Sequence, residues 1–162
     1  MHTIIDNFLE KTEFNVVESM LTGADFPWYF QNAVADLTHT HLSDFYFSHT
    51  FYRSDNAIPS QLFYIIEPVL KKIKVNKLIR IKGNLYPNVG KLIENQPHTD
   101  FPFEHKGAIL YINTNDGYTI LNDGTKVESI ANRILFFDAS TPHQSTTCTD
   151  NKARININFN YF

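Results

Sequence analysis

The chain has 162 residues, room for one domain of ordinary size. Hydrophobic residues make up 43% and aromatics 14%, with 14 Phe and 8 Tyr, which supplies a core and rings to wall a pocket. A formal charge of −3 disfavours nucleic acid and anionic lipid as partners, the lone Cys148 excludes an internal disulfide framework or a site of several thiolates, and no apolar run reaches the ~18 residues of a membrane span.

From Thr12 to Leu21, Phe14, Val17, Met20 and Leu21 recur at near-helical spacing, and Gly23 is placed to stop the helix. An aromatic and His-rich stretch follows, Phe26 to Phe30 and then His39 to Tyr52, whose lack of a sustained period predicts loops and short strands. Its His39-Thr40-His41 step, near Asp36 and Asp44, has no arginine to serve a bound anion and reads as hydrogen-bonded or exposed histidine. Ser60 to Ile73 sets Leu62, Ile65, Ile66, Val69, Leu70 and Ile73 on one side, which predicts a second helix with Ser60 as N-cap and a bend at Pro68.

After Asn76 the pattern turns to short strands: 78–86, 97–101, 107–114, 118–121, 126–130, 133–138, 144–148 and 153–162. Asn115-Asp116-Gly117 and Asn122-Asp123-Gly124 read as hairpin turns, because these residues accept positive φ. The expected fold is mainly β with flanking helices, a double-stranded β-helix or jelly-roll barrel. A single domain is expected over 1–162, with a helical and loop cap over 1–76 and the jelly-roll core over 77–162.

His98-Thr99-Asp100 places an imidazole and a carboxylate two residues apart, on one side of a strand. His143, behind Pro142 at the start of the next-to-last strand, offers a third ligand from across the barrel. Two His and one carboxylate form the facial set used by non-haem iron(II) oxygenases, which leaves positions open for co-substrate and dioxygen. Eleven residues after His143 comes Arg154, in a segment where Arg154, Asn156 and Asn158 share one face and Ile155, Ile157 and Phe159 the other. An arginine pointing into a barrel needs an anion, and its planar fork matches a carboxylate. The alternative is an internal salt bridge to Asp138 or Glu128. Arg80, Lys82, Asn84 and Tyr86 form a second polar face, where Asn84 and Tyr86 offer donors for a chelating 2-oxo acid, and Tyr111 is a further candidate contact. His105, close to Phe101 and Phe103, either touches substrate or caps a loop.

Together, His98-x-Asp100, His143 and Arg154 resemble the iron(II)/2-oxoglutarate-dependent dioxygenases, in particular the prolyl 4-hydroxylase-like group, over roughly residues 78–162. The segments 107–114, 132–138 and 154–162 look like that family's barrel strands in the expected order, and the N-terminal cap is similar to short phage-borne members. The resemblance implies an oxidoreductase with iron(II) on His98, Asp100 and His143. It implies 2-oxoglutarate held by Arg154, with Asn84, Tyr86, Asn156 and Tyr111 as further contacts, and ascorbate as a supporting reductant. It also implies hydroxylation of a C–H bond, with release of succinate and carbon dioxide, on a peptidyl or amino-acid substrate such as proline. Asn84-x-Tyr86 and Arg154-x-Asn156 are additionally similar to co-substrate contacts in the nucleic-acid-demethylating branch, but that branch's further downstream arginine does not follow Arg154 here.

Two other readings stay open. One is a cupin-like jelly roll with non-oxidative metal chemistry, although cupins carry a denser His-x-His and Glu grouping. The other is a non-enzymatic jelly-roll module, which leaves Arg154 unexplained. The single cysteine and the lack of a basic-then-apolar N-terminal segment lead us to expect a cytoplasmic protein. Nothing in the sequence indicates an oligomeric state.

Overall fold

The computed structural model describes residues 1–34, 43–56 and 58–162. The His39-Thr40-His41 step lies outside them. In chain order the elements are β1 (Thr3–Ile5), α1 (Lys11–Thr22), β2 (Tyr29–Gln31), β3 (Tyr46–Arg53), a 3-10 turn (Phe63–Ile66), α2 (Glu67–Ile73), β4 (Leu78–Pro87) and β5 (Lys106–Tyr111). They continue with β6 (Tyr118–Ile120), β7 (Lys126–Glu128), β8 (Ile134–Asp138), β9 (Gln144–Ser145) and β10 (Ala153–Tyr161). A seven-stranded antiparallel sheet runs β1-β8-β5-β10-β4-β3-β2 and a three-stranded one runs β7-β6-β9. This is the expected mainly β jelly roll with flanking helices.

The core follows from the alternation along β10, the middle strand of the large sheet. Ile155, Ile157, Phe159 and Tyr161 join one apolar cluster with Val17 and Leu21 of α1, Ile66, and Val69 of α2, so the helices cover that face. Arg154, Asn156, Asn158 and Asn160 point the other way and are also buried. Their side of the sheet includes the second cluster, with Ile109, Tyr111, Leu121, Val127, Leu135 and Phe137. β10 is therefore buried on both faces, which is how it carries a polar stripe into the interior.

Several local expectations change. The large sheet takes β1, β2 and β3 from the first 76 residues, so the helices rather than that whole segment form the cover. Residues 97–101 form no strand; His98 makes an isolated antiparallel bridge with His143, and Pro97 and Pro102, which lack N–H groups, prevent a longer ladder. Pro68 starts α2 instead of bending it, since the first turn of a helix needs no N–H donor at that position. Ser60 caps no α-helix, although its hydroxyl accepts from the Leu62 N–H ahead of the 3-10 turn. Gly23 ends α1 in extended rather than left-handed backbone.

Asn122-Asp123-Gly124 does make a hairpin, between β6 and β7, with Gly124 at φ 82°. Asn115-Asp116-Gly117 instead passes the chain from one sheet to the other. Among the described residues no helix is long and apolar enough to cross a membrane.

Asn132 secures the N-terminal segment to the barrel. It sits at φ 62°, accepts from the Leu9 N–H at 2.9 Å and donates to the Leu9 carbonyl at 2.8 Å. Asn132→Gly is expected to lower stability by about 2 kcal/mol through two lost hydrogen bonds, and Asn132→Ala by roughly 1 kcal/mol more through left-handed strain. Urea unfolding of the two variants checks the order; an alanine variant as stable as the glycine one would refute the strain term.

Candidate active site

His98, Asp100 and His143 converge, and one ligand atom from each lies within 4.8 Å of the others. The His98–His143 bridge brings the two rings to 4.7 Å between centroids, and His143 Nε2 lies 3.7 Å from Asp100 Oδ2. Nδ1 of His143 faces the Thr141 carbonyl at 3.1 Å and Nδ1 of His98 faces the Gln96 carbonyl at 3.4 Å. A carbonyl only accepts, so each Nδ1 carries the proton and each Nε2 keeps its lone pair for an ion. Burial first, and then neighbouring His143, push the His98 pKa down and favour the neutral ring that ligates.

Asp100 is held from three directions. Arg80 donates to Oδ1 at 2.5 Å, while Asn158 and Asn160 donate to Oδ2 at 2.9 and 2.8 Å. Burial pushes this carboxyl up, but the charge of Arg80, with the two amides, outweighs it and holds its pKa well below the usual carboxylate range. The three donors use three of roughly four lone-pair positions and leave one for an ion. Arg80 is itself fixed, by Asn160 Oδ1 at 3.2 Å and by the Phe101 ring 4.9 Å away.

Arg154 is 0% exposed and takes no part in an ion pair among the described residues. Its Nε donates to Ser129 Oγ at 2.7 Å and one terminal nitrogen donates to Thr119 Oγ1 at 2.9 Å. The other, Nη1, is buried with no partner. Neither expected internal acid serves it: Asp138 accepts from Ser140, and Glu128 lies 3.9 Å from Arg133. The rings of Tyr86 and Tyr111 each lie 5.6 Å from the guanidinium carbon, and Tyr111 donates to Thr119 at 2.8 Å.

Gly117 makes room for the arginine, because a Cβ there would stand 2.6 Å from Arg154 Cδ. Along the paired strands, Arg154 faces Tyr86, Asn156 faces Asn84 and Asn158 faces Lys82. Asn84 Nδ2 donates to Asn156 Oδ1 at 3.0 Å, and Asn84 Oδ1 is buried without a partner. A three-ligand centre and a buried cation with a free donor thus sit on one polar face, an arrangement that suits a metal and a carboxylate at once.

All the residues singled out as ligands or co-substrate contacts lie on or beside this polar face. Those not foreseen in these roles are Arg80 and Asn158, which clamp Asp100, together with Asn160, Thr119, Ser129 and Gly117. The alternation of β10 extends to Asn160 and signals its side; the other contacts are long-range and leave no local mark. His105 is packed against Phe101 and Phe103, with Nδ1 on the Phe103 carbonyl at 2.8 Å.

The backbone matches solved structures closely. A prolyl hydroxylase from Trichoplax adhaerens, solved in complex with a hypoxia inducible factor oxygen degradation domain peptide fragment, aligns with TM-score 0.70 at 17% identity over 99% of this chain and 83% of that one. The fold is that of the 2-oxoglutarate oxygenases. The viral collagen prolyl hydroxylase of Paramecium bursaria Chlorella virus-1 shares this oxygenase fold with TM-score 0.63 at 14% identity, over 98% of this chain and 94% of that one. The alpha ketoglutarate dependent epimerase SnoN from nogalamycin biosynthesis does so with TM-score 0.67 at 14% identity, over 99% and 77%. No protein-family model matches the chain, and no curated protein does.

Removal of a metal-facing group is expected to act in graded steps. His143→Ala should weaken binding of cobalt(II), a spectroscopic stand-in for a divalent ion, by more than about 100-fold, and Asn158→Ala by about 10-fold through the loosened carboxylate. Anaerobic titration of the visible cobalt absorption measures both. Equal affinities for wild type and His143→Ala would refute the centre.

Proposed function

We propose that the protein is an iron(II)- and 2-oxoglutarate-dependent oxygenase that hydroxylates a C–H bond of a peptidyl or amino-acid substrate such as proline. The observation that carries this reading is the buried Arg154, whose Nη1 has no partner and which no acid neutralises among the described residues. A guanidinium sealed in a barrel is costly unless an anion arrives. The distal carboxylate of 2-oxoglutarate fits the need, since it would accept from Nη1 beside the donors already fixed by Ser129 and Thr119.

In this reading His98, Asp100 and His143 hold iron, and Asn84, Tyr86, Asn156 and Tyr111 line the co-substrate's path. Iron with bound 2-oxoglutarate supplies the activation of dioxygen, with succinate and carbon dioxide as by-products. The chain's own contribution is positional. Arg80, Asn158 and Asn160 keep Asp100 ionised and pointed at the metal. Tyr86 and Tyr111 flank Arg154 and Phe137 lies 4.9 Å from the His143 ring, aromatic surface that would shield the bound groups from water.

Proline as the substrate type is supported by the prolyl hydroxylases among the fold's neighbours. Ascorbate is a suitable reductant to keep the iron divalent. The single, buried Cys148 suits a reducing, cytoplasmic setting.

Anaerobic addition of iron(II) and then 2-oxoglutarate to the protein is expected to raise the visible charge-transfer band of the chelate. Arg154→Met should raise the 2-oxoglutarate dissociation constant by about 10- to 100-fold, the loss of a charge-assisted hydrogen bond, while iron affinity stays within about twofold. Asp100→Ala should abolish succinate formation. An Arg154→Met protein with unchanged 2-oxoglutarate affinity would sink the assignment.

A further inference from the structure

The polar face holds one more cation that the oxygenase reading leaves without a task. Lys82 stands on β4 between Arg80, which binds Asp100, and Asn84, which binds Asn156. Its register partners are Asn158 on β10 and Thr50 on β3. It therefore lies one strand away from the amide that holds Asp100, on the side toward β3 and the edge strand β2. Arg154 is paired with Tyr86, four residues further along β4, so the two cations occupy different parts of the face.

Lys82 Nζ donates to Tyr46 Oη at 3.2 Å and lies 5.3 Å from the centre of that ring. No carboxylate pairs with it among the described residues. Burial, and then the like charge of Arg80, push its pKa down to about 8, which leaves it mostly charged at neutral pH. The inner faces of β4 and β10 contribute Arg80, Lys82 and Arg154 and no acid; Asp100, the carboxylate they meet, already answers Arg80. A bound dicarboxylate answers Arg154 and the metal. The positive charge left over is that of Lys82.

We propose that Lys82 and Tyr46 form the receptor for a carboxylate of the primary substrate, seating it beside the metal. This rests on the oxygenase reading above. The ammonium has two N–H groups beyond the one given to Tyr46, and among the described residues the phenol O–H has no acceptor, so three donors are available to a group with two oxygens. One ammonium and one phenol match a single negative charge; a phosphate's further charge and third oxygen would go unanswered. Tyr46 is kept in place by stacking on Tyr86 at 5.5 Å and 17°. The carboxylate belongs either to a free amino acid or to an acidic residue of a peptide, and the two sources are separable.

The test uses the iron(II)- and 2-oxoglutarate-loaded protein under nitrogen, with dissociation constants taken by calorimetry for two matched pairs. These are L-proline against L-prolinamide, and acetyl-Pro-Asp-amide against acetyl-Pro-Asn-amide. In at least one pair the acid is expected to bind about tenfold or more tighter, the first pair marking a free amino acid and the second a peptide. Lys82→Met should bring that ratio to within about twofold of unity, and Tyr46→Phe should reduce it partway, with 2-oxoglutarate affinity unchanged in both.

No discrimination in either pair, no binding by any of the four, or a ratio that survives Lys82→Met would overturn the receptor. A Lys82→Met protein that binds 2-oxoglutarate tenfold more weakly would assign the lysine to the co-substrate instead. Failure of the chelate band to form in the wild type would remove the oxygenase reading, and the receptor with it. Band formation without discrimination would remove the receptor alone.

Discussion

A strand buried on both faces, with arginine and asparagine on one of them, is the constraint from which the rest of this molecule follows. Apolar atoms on the outer face of β10 gain by leaving water, whereas every polar atom on the inner face loses unless it finds a partner. Asn158 and Asn160 find Asp100, Asn156 finds Asn84, and two of the three arginine nitrogens find Ser129 and Thr119. Of the five buried side-chain atoms left without a partner among the described residues, three belong to Asn84, Arg154 and Asn158, all on β4 and β10. Folding thus concentrates this unmet hydrogen bonding on one face, where a ligand could recover it. An unpaired guanidinium donor is the most demanding of these, and a carboxylate is the group whose geometry and charge would satisfy it.

The sequence made the face legible but not its internal wiring. Period-2 alternation exposed the inward rows of β4 and β10 because side-chain direction is a local property of a strand. The Asp100 carboxylate illustrates the gap: its clamp joins Arg80 of β4 with Asn158 and Asn160 of β10, and only the strand register brings these together. Thr119, Ser129 and Gly117 are similar, being small residues whose value lies in contact with a side chain far along the chain. The strand read over 97–101 failed for the opposite reason. His98 and Asp100 have the spacing of a strand, but the prolines beside them leave a single bridge to His143, and that one bridge suffices to bring the three side chains together.

Preorganisation is the physical gain from this wiring. A carboxylate ligand that had to be drawn from solvent, deprotonated and oriented on metal arrival would weaken binding by each of those costs. Here Arg80 and the two amides have already fixed the charge and the direction of Asp100 during folding, and the Nδ1 contacts have fixed the tautomers of both histidines. The same groups charge the fold a desolvation penalty. The helices offset it from the opposite face of β10, where Val17, Leu21, Ile66 and Val69 pack on Ile157 and Phe159.

The aromatic column across the site adds an electrostatic order to that rigidity. Arg154 lies over Tyr86, Tyr86 stacks on Tyr46, and Lys82 lies beside Tyr46. Lys82 meets Tyr46 at its hydroxyl and Arg154 lies against Tyr86, so each cation is met by a different ring of the stacked pair. Two like charges brought together would repel, and their separation by four register positions along β4 lets the interior keep both. Each is then free to meet its own anion. In the oxygenase reading, an interior built this way would keep a dicarboxylate at Arg154 apart from a second acid at Lys82, since Arg154 pairs with Tyr86, four residues along β4 from Lys82.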